Sequence, residues 1–376
     1  MNAGDETSTV PQGAQNFYKR VKSLAVRMRF GDPAKDVKVI AIVGTNGKAT
    51  TARFVEEMLK EADREVRLLI TDHKRALTAK EVQEFLQSAK KSHVEYAILT
   101  LKTEDITEHS LGAMPLEAVV VTNISETKED SIDRQIRAIK MLLEQAPRHT
   151  VLNHDDPSYE RLAEHVSAAQ DMTYGEDPDA EARIDNKTLY KKGSEVKLIV
   201  DHRTSIELAT YLVGAANVYN LVAAVSTLYV IGEKITTLDE GAARLEEMHG
   251  NYHYLETNTP YTVAVDHAPN DAAVLKIANT AKELAKRRMI VVVQADRIGK
   301  EAVDALSKNA ARTIVVDEHG IAEKRGSFER VNTVETAVDR VIKTARKDDT
   351  VLFAGPLFVD RLDDIHNSIT NTPEGS

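Results

Sequence analysis

The chain has 376 residues, 42% apolar and 29% charged, with a net charge of −10, a balance that fits two or three globular domains and argues against nucleic acid as the main partner. It contains no Cys, which removes disulfides, thiolate metal sites and a Cys nucleophile. No apolar run reaches the roughly 18 residues of a membrane span, and the polar stretch Met1–Gly13 has no signal-peptide pattern, so the expectation is a cytoplasmic protein without membrane insertion.

Residues 1–13 are expected to form a disordered lead. Phe17–Phe30 reads as a basic amphipathic helix with Val21, Leu24, Ala25 and Met28 at helical spacing. It is expected to pack on the domain that follows rather than on a membrane, because Gly31-Asp32-Pro33 leads straight into a strand. That strand, Val39–Val43, is apolar and β-branched, as a buried parallel strand is. Gly44-Thr45-Asn46-Gly47-Lys48 then turns the chain, and from Thr50 onward it reads as a helix carrying Phe54, Met58 and Leu59. Strand, glycine-bracketed turn and helix start make a phosphate cradle. Glycines let backbone N–H groups approach the phosphates, the helix N-terminus adds partial positive charge, and Lys48 adds a point charge. Gly44 stands three residues before Gly47, where the usual phosphate loop has about five. Ala49 occupies the place of the hydroxyl that normally follows the Lys and holds Mg²⁺.

Strands are expected at Val66–Thr71, Tyr96–Leu101, Ala118–Thr122 and Thr150–Asn153, with helices at Ala79–Ser92 and Ile132–Ala146 between them. This alternation predicts a parallel α/β sheet. From Asp171 to Val213 the pattern changes to short strands, at Ala182–Ile184, Lys187–Tyr190, Val196–Val200 and Ser205–Leu212, read as a small antiparallel insert. Ala216–Ile231 and Asp239–Met248 read as helices, and Gly250–Asn258 as a domain junction. The alternation then restarts: strands Val263–Asp266, Met289–Gln294, Arg312–Asp317 and Asp349–Ala354, with helices at 271–286, 300–309 and 334–346, predict a Rossmann-like domain. The tail from about Asn367 is expected to be loose. The predicted division is a lead and helix at 1–36, a central P-loop parallel-sheet ATPase domain with the antiparallel insert at 37–249, and a C-terminal Rossmann-like domain at 250–376.

Gly-Thr-Asn-Gly-Lys-x-Thr-Thr at 44–51 resembles the nucleotide loop of the Mur ligase family, ATP-dependent enzymes that join amino acids to UDP-N-acetylmuramate peptides and to which folylpolyglutamate synthases are related. The resemblance recurs in order at Thr122-Asn123-Ile124, Asn153-His154-Asp155-Asp156, Thr173-Tyr174-Gly175 and Gly214-x-x-Asn217-x-x-Asn220, and covers residues 39 to roughly 300. It is nearest the tripeptide-synthetase branch, without that branch's usual N-terminal UDP-binding domain. The resemblance implies ATP and Mg²⁺ as cofactors, a nucleotide site at Gly44–Thr50, Lys48 on the transferring phosphoryl group, and a C-terminal domain closing over the nucleotide. It also implies that Lys140 is carbamylated to hold the second Mg²⁺, that Asn217 and Asn220 hold adenine, and that Asp266 approaches the ribose. Asp296–Lys300 likewise resembles the family's Gly-Asp-Arg-x-x-Gly-Lys turn after a C-terminal strand. The plainer alternatives are a Lys140 that snorkels at a helix edge, an Asn217 that caps its helix, and an ordinary charged βα turn at Asp296–Lys300.

Several positions depart from the family: Ala49, Thr100 in place of a Glu ligand, Lys128 in place of a His, Gly250-Asn251 in place of Gly-Arg, and Pro269 in place of a His. Thr50, Glu104 and Glu126 are the candidate replacements for the lost oxygen ligands. The expected function is amide-bond formation between a UDP-muramyl-peptide-like carboxylate and an amino acid through an acyl phosphate. The alternatives are a catalytically reduced homologue that binds nucleotide or a partner without ligating, and a folylpolyglutamate-synthase-like ligase.

Overall fold

The computed structural model describes residues 12–71, 75–166, 170–235, 242, 245, 252–321 and 328–370. These fall into two compact units. One comprises Met1–Ile124, Asp130–Arg183 and Val222–Gly241; the other comprises Ser125–Glu129, Ile184–Leu221 and Ala242–Ser376.

The first unit alternates helix and strand: α1 (Gln12–Arg29), β1 (Lys38–Val43), α2 (Lys48–Glu61), β2 (Val66–Leu69), α3 (Ala79–Lys91) and β3 (Tyr96–Thr100). It continues with α4 (Thr103–Thr107), β4 (Ala118–Val121), α5 (Ile132–Leu143), β5 (His149–Asn153), α6 (Tyr159–Ala163) and β6 (Gln170–Gly175). The strands pair in parallel in the order β2-β3-β1-β4-β5-β6. Apart from Lys38 and Thr100 at their ends, β1, β3 and β4 are buried and almost wholly apolar, because helices cover both faces of such a sheet. α3 starts on a capping box, in which the Thr78 hydroxyl accepts from Glu81 N and the Glu81 carboxylate accepts from Thr78 N. β1 lies between β3 and β4, so the strand order reverses there. Open α/β sheets bind ligands at such a reversal, beyond the carboxyl ends of the strands.

α1 is where the structure reverses the sequence expectation. Val21, Leu24 and Met28, read as the packing stripe, are 48%, 45% and 72% exposed. The helix is held instead by its polar side: Ser23 is 3% exposed and its hydroxyl donates to His109 O, and Arg27 donates to Asp32 at 2.6 and 2.7 Å.

The expected antiparallel insert is smaller than 171–213. β6 pairs in parallel with β5 and so extends the first unit's sheet. Ala182–Tyr190 is one strand, β7, whose first residues pair in parallel with β6; the polar residues 185–187 that suggested a break lie within it. β8 (Gly193–Val200) and β9 (Thr204–Thr210) form the antiparallel hairpin, and α7 (Ala215–Val230) follows.

The second unit then builds β10 (His253–Leu255), β11 (Thr262–Asp266), α8 (Asp271–Leu284), β12 (Met289–Gln294), α9 (Lys300–Asn309) and β13 (Arg312–Val316). β14 (Glu329–Val331), α10 (Val334–Thr344), β15 (Thr350–Ala354), α11 (Pro356–Asp360) and α12 (Leu362–Thr370) complete it. The sheet order is β10-β11-β15-β12-β13-β14, with β10 antiparallel and the rest parallel. Alternate residues of β12 feed opposite cores: Val291 and Val293 pack with α8 and α9 residues, Ile290 and Val292 with α10 and α12 residues. The expected loose tail is helical through Thr370, because Ile365 and Ile369 are buried. The helix expected over Asp239–Met248 and the Gly250-Asn251 pair lie outside the described residues, apart from positions 242 and 245.

Candidate functional site

The 44–50 turn joins β1 to α2 at the sheet's reversal point. Gly44 has φ +128°, and a Cβ there would stand 2.4 Å from Thr122 Oγ1 and 2.7 Å from Asn123 O, so only glycine lets the turn lie against the end of β4. Gly47 has φ +83° and offers no side-chain cap to α2. The first N–H groups of a helix have no intrahelical partner. With no cap at Gly47, the N–H groups of Lys48, Ala49 and Thr50 are placed to receive an anion.

The end of β4 holds this turn. Asn123 clamps Asn46 in both directions, its Oδ1 accepting from Asn46 N at 3.1 Å and its Nδ2 donating to Asn46 O at 2.8 Å. Thr45 N donates to Asn123 O at 2.7 Å, and Thr122 Oγ1 donates to Asn46 O at 2.7 Å. β5 and β6 brace the clamp from behind. Asn153 Nδ2 donates to Thr122 O, Asp156 accepts from Ile124 N at 2.7 Å, and the buried Tyr174 hydroxyl lies 3.1 and 3.0 Å from Val121 O and Thr122 O. The motifs at 122–124, 153–156 and 173–175 thus meet around the 44–50 turn. Gln135, on α5, also reaches it, with its Oε1 2.6 Å from Thr45 Oγ1. Sequence reasoning did not single out Gln135; its only signal was a polar residue inside an apolar stripe.

Lys48 folds back over the turn, its ammonium donating to Gly44 O at 2.7 Å and Thr45 O at 2.9 Å. Burial lowers its pKa to about 8; Lys102 adds to the depression, and Asp105 and Glu104 oppose it. Thr50 is 6% exposed, in the first turn of α2.

The altered metal positions are committed elsewhere. Thr100, 1% exposed, accepts from Thr71 N at 2.9 Å, and Glu104 pairs with Arg134 at 2.8 Å. Lys128 donates to Asp296 O at 2.5 Å. Lys140 is half-buried on α5 and makes no side-chain hydrogen bond or ion pair among the described residues. It lies five residues beyond Gln135, about 140° further round the helix, so α5 turns Gln135 and not Lys140 toward Thr45. The residues present fit phosphate. They fit Mg²⁺ only as an ion carried on a nucleotide, since such an ion keeps water and phosphate oxygens and needs one or two protein ligands, and Thr50 offers one hydroxyl.

In the second unit, Asn217 is the third residue of α7, so it is not the helix cap; its Nδ2 donates to Val213 O at 2.8 Å. Asn220 Nδ2 donates to Asn217 Oδ1 at 3.3 Å, and both residues are 8% exposed. Asp266, at the end of β11, accepts from Tyr252 N at 2.7 Å and Ala268 N at 2.8 Å, and burial raises its pKa to about 6 against those two donors. The turn after β12 is braced by Asp271, which accepts from Gly299 N at 2.8 Å. Back in the first unit, His154, Asp155 and Asp177 bring ligand atoms within 4.8 Å of one another, but the Asp155 carboxylate already accepts from Glu176 N and Asp177 N.

Comparison with known proteins bears on the same residues. The Mur ligase middle domain matches residues 42–228, and the Mur ligase glutamate ligase domain matches residues 250–357. The chain belongs to the Mur ligase family. Among family members, the UDP-N-acetylmuramoyl-L-alanyl-D-glutamate–2,6-diaminopimelate ligase of Geobacillus thermodenitrificans is 25% identical over 90% of this chain and 77% of its own length. Two solved structures share the fold. The MurF ligase of Thermotoga maritima in complex with ADP has a TM-score of 0.73 at 13% identity, covering 98% of this chain and 87% of its own. The folylpolyglutamate synthase of Mycobacterium tuberculosis complexed with ADP has a TM-score of 0.69 at 14% identity, covering 93% and 94%.

Proposed function

We propose that this Mur ligase family member is an ATP-dependent ligase that forms an amide bond between a UDP-muramyl-peptide-like carboxylate and an amino acid, a step of cell-wall peptide synthesis. The observation that carries the proposal is the turn at Gly44–Thr50, fixed by the Asn123 clamp with the uncapped first turn of α2 and Lys48 together at the sheet's reversal point. The relatives named as diaminopimelate-adding ligases supply the substrate class. The proposed domains remain 1–36, 37–249 and 250–376, supported by the two family matches. A cytoplasmic location belongs to the same reading; among the described residues no helix is long and apolar enough to cross a membrane.

In the proposed reaction a carboxylate oxygen of the acceptor attacks the γ-phosphorus of ATP, and ADP leaves. The amino-acid amine then attacks the acyl carbon and expels phosphate, losing its proton to solvent. The protein's part is positioning and charge neutralisation. The N–H groups of Gly47, Lys48, Ala49 and Thr50 cradle the phosphates, while Gly44, Thr45 and Asn46 hold the turn against Thr122 and Asn123. The Lys48 ammonium exchanges the carbonyls of Gly44 and Thr45 for phosphoryl oxygens. Asn217 and Asn220 hold adenine, and Asp266 the ribose. Mg²⁺, when bound with the nucleotide, would neutralise phosphate charge: Thr50 would hold the ion at the turn, and a carbamylated Lys140, which α5 does not turn toward Thr45, would hold a second one.

A second reading is favoured by Ala49, by Thr100 held on Thr71 and by Glu104 held on Arg134: nucleotide binding without ligation. The deciding experiment follows ADP and phosphate release with UDP-muramyl dipeptide and a panel of amino acids, with a folate-glutamate arm as the competing substrate. Substrate-dependent release that Lys48→Ala abolishes supports the ligase. ATP binding without release under every pairing overturns it in favour of the second reading.

A further inference from the structure

The apolar side of α1 points away from the protein. Phe17 (70% exposed), Tyr18 (67%), Val21 (48%), Leu24 (45%) and Met28 (72%) line it. At 100° per residue they fall within an arc of about 120°. The other side pins the helix: Lys19 pairs with Glu108, Ser23 bonds His109 O, and Arg27 bonds Asp32 and Ala113 O.

Charge follows the same division. Gln12–Arg29 carries five cations and no acid in a chain whose net charge is −10. Lys19 and Arg27 are engaged in ion pairs. Arg20, Lys22 and Arg29 are exposed and make no ion pair among the described residues. On the helical wheel Lys22 and Arg29 border the apolar arc on one side and Arg20 borders it on the other. An outward stripe with two aromatics, flanked on both sides by unpaired cations, has the charge and shape of a helix lying in the plane of an anionic bilayer. Apolar side chains enter the acyl boundary while the cations stay level with the headgroups. Pairing two copies of this chain through the stripe would instead bring their flanking cations together.

We propose that α1 is a peripheral membrane anchor that seats this protein on an anionic lipid surface without crossing it. The inference stands apart from the ligase reading, since none of its residues contributes to the 44–50 turn.

The chain has no Trp, so Phe17→Trp places a single reporter on the stripe. Mixed with vesicles of phosphatidylcholine containing roughly one-third phosphatidylglycerol, the full chain is expected to co-sediment and its Trp emission to shift to the blue. Pure phosphatidylcholine vesicles should give neither, and added salt should weaken both. Leu24→Ser with Met28→Ser is expected to lower partition at least about tenfold. Arg20→Gln, Lys22→Gln and Arg29→Gln together are expected to lower it on the order of a hundredfold. Far-UV circular dichroism of both variants, altered only at exposed positions, should match the parent. Equal binding to neutral vesicles, no binding to anionic ones, or stripe variants that bind like the parent would overturn the proposal. So would a dimer that Leu24→Ser dissolves, or an acidic protein that competes for the stripe while vesicles do not.

Discussion

At the scale of single residues, the phosphate turn depends on two positions for different reasons. Gly44 is needed for space: any Cβ meets Thr122 Oγ1 at 2.4 Å and the Asn123 carbonyl at 2.7 Å. Gly44→Ala is expected to cost about 2–4 kcal/mol of unfolding free energy, read by urea titration. Shortening Thr122 should not rescue it, because the Asn123 carbonyl is backbone. Asn123 is needed for its amide, which both donates to and accepts from Asn46. Asn123→Ala removes both bonds and leaves Asn46 N to find water, while Asn46 O keeps the Thr122 hydroxyl, costing about 1–3 kcal/mol. It should weaken ATP binding measured calorimetrically, with a smaller loss for adenosine, which lacks the phosphates. The glycines and Lys48 were legible because their chemistry is local. Asn123 could be flagged only as part of a motif, since the residue it clamps is 77 positions away. Gln135 lies 90 positions from Thr45 and had no motif to mark it.

At the scale of elements, the parallel strands were readable from β-branched runs, because burial on both faces leaves little room for polar alternation. Amphipathic elements were harder. Periodicity finds a stripe but not the direction it faces, which is why α1 was expected to bury Val21, Leu24 and Met28 and instead exposes them. In β7 three consecutive polar residues, two of them exposed on opposite faces of the strand, imitated a turn. Asp266 makes the end of β11 sensitive to pH. Its folded pKa of about 6 lies above the ordinary carboxylate value of about 3.9. The folded state therefore holds more protons than the unfolded state between those values. Stability falls as pH rises from about 4 to 6 and levels above. Asp266→Asn should remove this slope while adding a pH-independent loss, since its amide cannot accept from both Tyr252 N and Ala268 N. Urea midpoints of parent and variant at several pH values measure the difference.

At the scale of the whole chain, two units of similar secondary-structure content differ in how they can be assembled during synthesis. In the first, β3 enters between β1 and β2 early, and β4, β5 and β6 then add one after another at the edge beside β1. In the second, β15 enters between β11 and β12, pairing with both, although it is the last strand made. Asp349, just ahead of it, has a fully buried carboxylate that the Arg288 guanidinium grips at 2.8 to 3.0 Å. Until Thr350–Ala354 leaves the ribosome, β11 and β12 face each other across a missing strand, with open hydrogen-bonding edges. A chain stopped before Asp349 is therefore expected to be insoluble or protease-sensitive in its second unit while the first resists digestion, as limited proteolysis would read. Supplying residues 349–370 as a separate peptide should restore resistance, because the gap accepts one strand in one register. The same central slot makes the late segment a handle, through which the second unit could be completed or left unfinished from outside.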